Sequence, residues 1–313
     1  MDFTGLLSFP LTPFDADDRV DLDVLRTHVD QQVTAGAAAV FVACGTGEFT
    51  ALTLQEHRDV VATAVRTVAG RVPVFAGAGG GAGLAREFVA QAAAAGADGV
   101  LLLPPYLVSS TAAGLVRHVG YAAAGASIPV IVYQRANAVF SRQAALDLLD
   151  IPSVAGLKDG IGDVDALLRT VTAIRGSGHP HAADFCFLNG MPTAELSALA
   201  YRAIGVPRYS SAVHCFAPDI AHAFHTAFAS GDDAGVTALL RDFYLPFAEL
   251  RDQVPGYAVA LVKAGARLAG LPVGGVRPPL VDPTPAHVDR LAEIIATARA
   301  GLPNPSHDTG SAR

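Results

Sequence analysis

The chain has 313 residues, of which 51% are hydrophobic, and a formal net charge of −7. That acidic balance argues against a nucleic-acid surface, and no uninterrupted apolar run reaches the roughly 20 residues of a membrane span. Met1-Asp2-Phe3-Thr4 lacks the basic start of a signal peptide. Cys44, Cys186 and Cys215 are odd in number and lie in apolar stretches, so they read as reduced thiols of a cytoplasmic protein.

Phe3 to Phe9 predicts a first strand, stopped by Pro10, and Asp21 to Ala35 has apolar residues at helical spacing. Ala37 to Cys44 is the second strand. The helix Leu54 to Val68 follows, with Thr53 as N-cap and Glu56 completing a capping box. The alternation continues through strand Val72 to Ala76, helix Leu84 to Ala95, strand Gly99 to Leu103, helix Ala112 to Ala124 and strand Pro129 to Tyr133. Helix Arg142 to Leu149, strand Val154 to Leu157, helix Asp163 to Ile174, strand Phe185 to Leu188 and helix Pro192 to Arg202 come next. Strand Arg208 to Ala212 and helix Pro218 to Ala229 complete the series. Ala-Gly-Ala recurs at Gly36, Gly96 and Gly125, each at the end of a helix, where glycine supplies a left-handed cap.

Eight short strands, apolar on both faces and alternating with eight helices, predict an α/β fold of the (β/α)8 TIM-barrel type. An open doubly wound sheet is the runner-up. Beyond Ser230 the alternation ends. Asp232 to Gln253, Tyr257 to Leu268 and Pro285 to Ala300 read as three helices. The expected organisation is therefore a catalytic barrel over residues 1–230, a helical appendage over 231–301 and a frayed tail over 302–313.

In a barrel of this kind the chemistry collects at the C-terminal ends of the strands. Those ends carry Gly45, Thr46 and Glu48 after strand two, Tyr106 after strand four, Tyr133 and Arg135 at strand five, Lys158 at strand six, and Ser210 and Ser211 at strand eight. Lys158 stands out because the chain has only two lysines, Lys158 and Lys263, among 22 basic residues. An amine whose pKa falls on burial can attack a carbonyl and form an imine, which guanidinium cannot do. A lysine at a strand end can also merely reach out to solvent. Lys263 falls on an appended helix and reads as structural, and Glu48 reads as a loop-fixing residue. Arg135 reads equally as a carboxylate holder and as a structural ion-pair partner, and the two serines as substrate contacts or as donors to backbone.

The glycine-rich run Gly77 to Gly83, with Asp98 some 20 residues on, formally fits a dinucleotide fingerprint. Asp98, however, precedes a strand instead of following one, and no Lys-Ser/Thr follows the glycines. Close approach of backbone to a neighbour is the better reading. The pairs His179/His181 and His222/His225 have no Cys or His partner at zinc-ligand spacing, so no metal site is expected.

Gly45-Thr46-Gly47-Glu48, Tyr133 and Gly156-Leu157-Lys158-Asp159 together resemble the dihydrodipicolinate synthase / N-acetylneuraminate lyase family of Schiff-base aldolases. The likeness runs from Phe3 to Ala300. Pro104 to Leu107, Tyr133 to Asn137, Pro192 to Glu195 and Tyr209 to Ala212 most resemble the branch that removes water and carbon dioxide from a keto-deoxy sugar diacid, leaving the semialdehyde of 2-oxoglutarate. By that resemblance Lys158 forms the imine without any cofactor, Tyr133 moves protons beside it, and Gly45 and Thr46 hold the keto acid's carboxylate. Thr46 also joins the catalytic set, and Tyr106 matches a tyrosine that reaches into a neighbouring subunit of a homo-oligomer, dimer or tetramer. The expected partner is a small keto sugar acid, with no nucleic acid and no membrane. This chain departs from the family pattern in having Gly45-Thr46 for a Thr-Thr pair, Gln134 for asparagine, and His214-Cys215 after the serines. The alternatives are an aldolase, lyase or synthase working on pyruvate through the same imine, and a barrel that binds a keto acid without turning it over.

Overall fold

The computed structural model describes residues 3–302. Eight strands, β1 (Leu7–Ser8), β2 (Ala39–Val42), β3 (Val74–Ala78), β4 (Gly99–Leu102), β5 (Val130–Gln134), β6 (Val154–Asp159), β7 (Cys186–Asn189) and β8 (Ser210–Ser211), form one sheet. All of its pairings are parallel, and each strand neighbours the next, with β8 pairing β1. A parallel bridge between Asn189 and Tyr209 links β7 to the entry of β8 and closes the ring. This is the (β/α)8 barrel that the alternation predicts.

Helices α1 (Leu22–Thr34), α2 (Leu54–Val68), α3 (Ala82–Ala94), α4 (Ala112–Ala122), α5 (Arg142–Asp147), α6 (Val164–Arg175), α7 (Ala198–Ala203) and α8 (Pro218–Ser230) follow the strands in turn. Their starts obey local chemistry. Thr53 accepts from the Glu56 amide while Glu56 reaches back to Thr53, so the expected capping box is present. Asp21, Thr111, Ser141 and Asp163 cap α1, α4, α5 and α6 in the simpler way. Gly36, Gly96 and Gly125 sit at φ of +93°, +87° and +76° just past their helices, the left-handed turn expected of them.

Inside the ring, Phe9, Phe41 and Phe75 stack face to face at 4.6 and 4.7 Å, filling the barrel axis. Outside it, valines and alanines of the opposite strand face pack on the helices. The first and last strands are shorter than expected, two residues each. At the first, Gly5 takes φ +128°, outside strand geometry, and Pro10 has no N–H to pair.

The C-terminal helices are α9 (Asp233–Leu239), α10 (Leu245–Arg251), α11 (Tyr257–Leu268) and α12 (Pro285–Ala300). Where one helix was expected from Asp232 to Gln253, a π-turn at Leu240–Tyr244 separates α9 from α10. Pro246 lacks the amide that would continue the α-ladder, and the wider turn absorbs that loss. These helices share one buried cluster with Leu6, Tyr209, Val213 and Phe216 of the barrel. Most of the expected tail, residues 303–313, lies outside the described residues, as do Met1 and Asp2.

Candidate active site

Tyr133 and Lys158 are register partners on β5 and β6, so their side chains rise on the same face of the sheet, side by side. β6 runs one turn of the pleat further than expected, through Asp159, which places Lys158 within the strand. Asp159 then points the other way. Its carboxylate accepts from Gln134 Nε2 at 2.6 Å and from the Tyr201 hydroxyl, and is not directed at the amine. Lys158 is 5% exposed. Its Nζ lies 3.9 Å from the centre of the Phe9 ring and 4.8 Å from that of Tyr133. Burial in this aromatic setting pushes the amine down to about 7; Cys44 works against the shift and Arg135 with it. The lowered pKa brings the neutral amine, the form able to attack a carbonyl, within reach of neutral pH.

Two glycines make the space. A Cβ on Gly190 would stand 2.5 Å from Lys158 Cε, and one on Gly160 would stand 2.8 Å from the Tyr133 hydroxyl. The Tyr133 hydroxyl donates to the Gly190 carbonyl at 2.7 Å and accepts from Arg135 Nη1 at 3.0 Å. Burial raises the Tyr133 phenol above its ordinary value, and the Arg135 guanidinium opposes that.

Lys158, Tyr133, Arg135, Gly45, Thr46 and Ser210 all line one cavity of about 490 Å³ at the C-terminal mouth of the barrel. The loop bearing Gly45 and Thr46 is held in a strained shape, with Ala43 at φ +48° and Glu48 at φ +54°. Glu48 is pinned from the C-terminal side: Lys263 Nζ lies 2.6 Å from Oε1, and the Arg277 amide donates to Oε2 at 2.9 Å. Glu48 and Lys263 are thereby structural, as expected. Gly47 is tight as well, because a Cβ there would stand 3.0 Å from the Ala43 nitrogen.

Two expected site residues lie elsewhere. Ser211 is fully buried and gives its hydroxyl to Glu195 Oε1 at 2.6 Å, outside the cavity lining. Neighbouring residues of a strand face opposite sides, so Ser210 and Ser211 cannot both face the substrate. Tyr106 is 70% exposed beside Leu107 and Val108, and is no part of the cavity wall of this subunit. Of the departures from the family pattern, Gly45-Thr46 lines the cavity, whereas the other two lie off it: Gln134 binds Asp159, His214 Nδ1 pairs with Gln32 Oε1 at 2.7 Å, and Cys215 Sγ faces the Phe9 carbonyl.

The glycine run is a packing device. A Cβ on Gly77 would overlap the Ala43 carbonyl, and Gly79 abuts Leu103 and Phe49. Asp98 accepts the Val74 amide at 2.8 Å, at the far end of β3 from the mouth, so the dinucleotide reading falls. Among the described residues no group of three or more His, Cys, Asp or Glu is placed to hold a metal ion.

The cavity also holds groups that no motif in the sequence marks. Glu195 lines it while 1% exposed, and Oε2 has no hydrogen-bond partner among the described residues. Burial raises its carboxyl to about 7, against the Ser211 hydrogen bond. Phe247, Arg251, Ala258 and Val262 come from α10 and α11, so the appended helices form part of the wall. In the sequence, Pro192 to Glu195 is marked only by the resemblance, and nothing marks Arg251-Asp252.

A closed barrel with a buried lysine of lowered pKa and a tyrosine paired at its mouth is the architecture of a Schiff-base lyase. The chain belongs to the dihydrodipicolinate synthetase family, whose profile matches residues 2–298. Among its relatives, a probable 5-dehydro-4-deoxyglucarate dehydratase of Streptomyces coelicolor is 55% identical over 292 residues, covering 93% of this chain and 92% of that one. A probable 5-dehydro-4-deoxyglucarate dehydratase of Rhizobium rhizogenes is 44% identical, covering 95% and 96%. The dihydrodipicolinate synthase of Oceanobacillus iheyensis superposes with a TM-score of 0.86 at 25% identity, covering 94% of this chain and 96% of that one. A prophage protein of the same family from E. coli K12, crystallised with pyruvate, superposes with a TM-score of 0.83 at 27% identity, covering 95% and 99%.

Proposed function

We propose that this protein dehydrates and decarboxylates 5-dehydro-4-deoxy-D-glucarate, giving 2,5-dioxopentanoate, water and carbon dioxide. The observation that carries the reading is the buried amine of Lys158 beside Tyr133, in a chain half identical to proteins bearing that name. The neutral amine attacks the ketone, and loss of water gives a protonated imine on Lys158. The adjacent CH2 becomes acidic because its electrons can be stored as an enamine. Tyr133 takes and returns the proton there, with Arg135 easing the phenol's ionisation. The enamine expels the hydroxyl on the next carbon as water. The conjugated imine then accepts the electron pair released when the distal carboxylate leaves as carbon dioxide. Reprotonation and hydrolysis free the aldehyde and the amine. Since the protonated imine is the electron sink throughout, the reading invokes no metal or organic cofactor.

Gly45 and Thr46 hold the carboxylate next to the ketone, and Ser210 offers a hydroxyl to the chain of the sugar acid. In place of a Thr46 relay, the Tyr133 hydroxyl is engaged by Arg135 and Gly190, which supports Arg135 as its proton-tuning neighbour. We place the enzyme in the cytoplasm; among the described residues no helix is long and apolar enough to cross a membrane. The exposed Tyr106, Leu107 and Val108 support a homo-oligomer, dimer or tetramer, in which they are covered.

The test is to incubate the protein with pyruvate and borohydride, digest it, and follow carbon dioxide and semialdehyde from the sugar diacid. An adduct on Lys158 with stoichiometric carbon dioxide is expected. Free pyruvate from the sugar acid would mark an aldolase, and an adduct on Lys263, or none, would reject the scheme.

A further inference from the structure

We propose that Arg251 receives the distal carboxylate of the substrate and that Asp252 sets how firmly it does so, which makes this pair the determinant of specificity for a diacid. The inference rests on the dehydratase reading above. Arg251 ends α10, yet its side chain is only 13% exposed and lines the same cavity as Lys158. It is held at a defined angle. Nη1 donates to Thr193 Oγ1 at 2.5 Å, while Nε and Nη2 donate to the two Asp252 oxygens at 2.8 and 3.0 Å. Thr193 itself is fixed in the left-handed region at φ +52°. A guanidinium has five N–H donors. Three are used among the described residues, which leaves one on each terminal nitrogen, the pair that a carboxylate takes two at a time.

The other guanidinium of the cavity serves a different end of the site. Arg135 is bound to the Tyr133 hydroxyl, beside the imine. A substrate with a ketone and two carboxylates needs two anion holders besides the amine. Gly45 and Thr46 serve the nearer carboxylate, and Arg251 is the donor free for the further one.

Asp252 explains how a carboxylate can be bound there and still leave. Decarboxylation turns an anion into neutral carbon dioxide, so a guanidinium of full strength would stabilise the ground state more than the transition state. Asp252 already balances that charge, and its carboxyl is held below the usual range by the Arg251 hydrogen bonds. The substrate is positioned by directed N–H groups and is not gripped by an unopposed charge.

The experiment compares the wild type with Arg251→Met, Arg251→Lys and Asp252→Asn. Steady-state kinetics use the keto-deoxy diacid and its analogue with a primary alcohol in place of the distal carboxylate. Borohydride trapping of pyruvate at Lys158 is measured in parallel. Arg251→Met should raise KM for the diacid about 100-fold, the loss of a charge-assisted bidentate contact. It should leave pyruvate trapping within about twofold of wild type, because pyruvate has no distal group. Arg251→Lys should recover part of the loss, since ammonium pairs without the fork. Asp252→Asn should lower KM and kcat together, the signature of a ground state bound too well. The proposal is overturned if KM for the diacid moves less than threefold in Arg251→Met, or if pyruvate trapping falls in step with diacid turnover, which would mark a merely structural arginine. Failure of the Schiff-base reading itself would appear separately, as no Lys158 adduct in the wild type.

Discussion

The two lysines of the chain are both buried, and they have opposite fates. Lys263 is 0% exposed, with Glu48 Oε1 and the Gly275 carbonyl each at 2.6 Å and the Phe14 ring at 4.0 Å. Burial pushes its pKa down and Glu48 pushes it back. Lys158 has aromatic neighbours of the same kind and, among the described residues, no carboxylate aimed at it; its strand neighbour Asp159 faces away and is taken up by Gln134 and Tyr201. Burial alone does not make a lysine reactive. A carboxylate at 2.6 Å makes Lys263 a clamp, whereas the lowered pKa of Lys158 suits the nucleophile proposed above. The clamp also bears on the cavity around Lys158, since Lys263 and Arg277 fix the Glu48 end of the loop that presents Gly45 and Thr46.

The sharpest way to break this comparison is Lys158→Ala. Turnover should fall about 10,000-fold or more, as when a covalent nucleophile is removed, with little loss of thermal stability, because among the described residues no ion-pair partner is left stranded. Retained turnover would end the imine reading. Next in size is Tyr133→Phe, expected to cost about 100- to 10,000-fold in kcat as a lost proton relay. The pyruvate adduct should still form slowly; normal kcat would take Tyr133 out of the mechanism. Lys263→Met should show the reverse pattern. It strands Glu48 in the interior and should cost about 3–5 kcal/mol in denaturant unfolding, while the double change Lys263→Met with Glu48→Gln should regain most of that. A silent Lys263→Met would show that the pair does not hold the loop.

How legible these features are from sequence depends on distance along the chain. Lys158 and Tyr133 announce themselves because barrel strands are short and each C-terminal end is easily located. Their pairing follows from the order of β5 and β6. Ser210 and Ser211 were legible only as a unit, since a strand of two residues leaves its phase open, and the structure turns Ser211 to Glu195. Arg251 was invisible for a different reason. It is 93 residues beyond Lys158, next to an aspartate and on a helix outside the barrel repeat, and nothing in the local pattern separates it from a solvated ion pair. Only the packing of α10 and α11 on the mouth brings it to the cavity. Pro246 was readable in the sequence, but the π-turn that it produces was not, because helical periodicity carries no mark of a single wider turn.

The finest test of the contrast is its dependence on pH. The Lys158 amine ionises at about 7 in the folded chain against an ordinary 10.5. Between those values the unfolded chain holds a proton at this position that the folded chain has released, so stability rises with pH there. Below pH 7 both forms are protonated, and the full cost of the buried ammonium is felt. Raising the pH by one unit within the window should therefore add roughly 1 kcal/mol from this group. Subtracting the unfolding free energies of Lys158→Met from those of the wild type, at matched pH from 7 to 9, isolates the contribution from that of Lys263, which is common to both. The same proton governs chemistry. Below pH 7 the rate of imine formation with pyruvate should fall tenfold per unit as the neutral amine disappears, and above it the rate should level off. A stability difference that is flat with pH, or an amine that still needs pH 10 to react, would mean that Lys158 is solvated or paired, and the distinction between the two lysines would vanish.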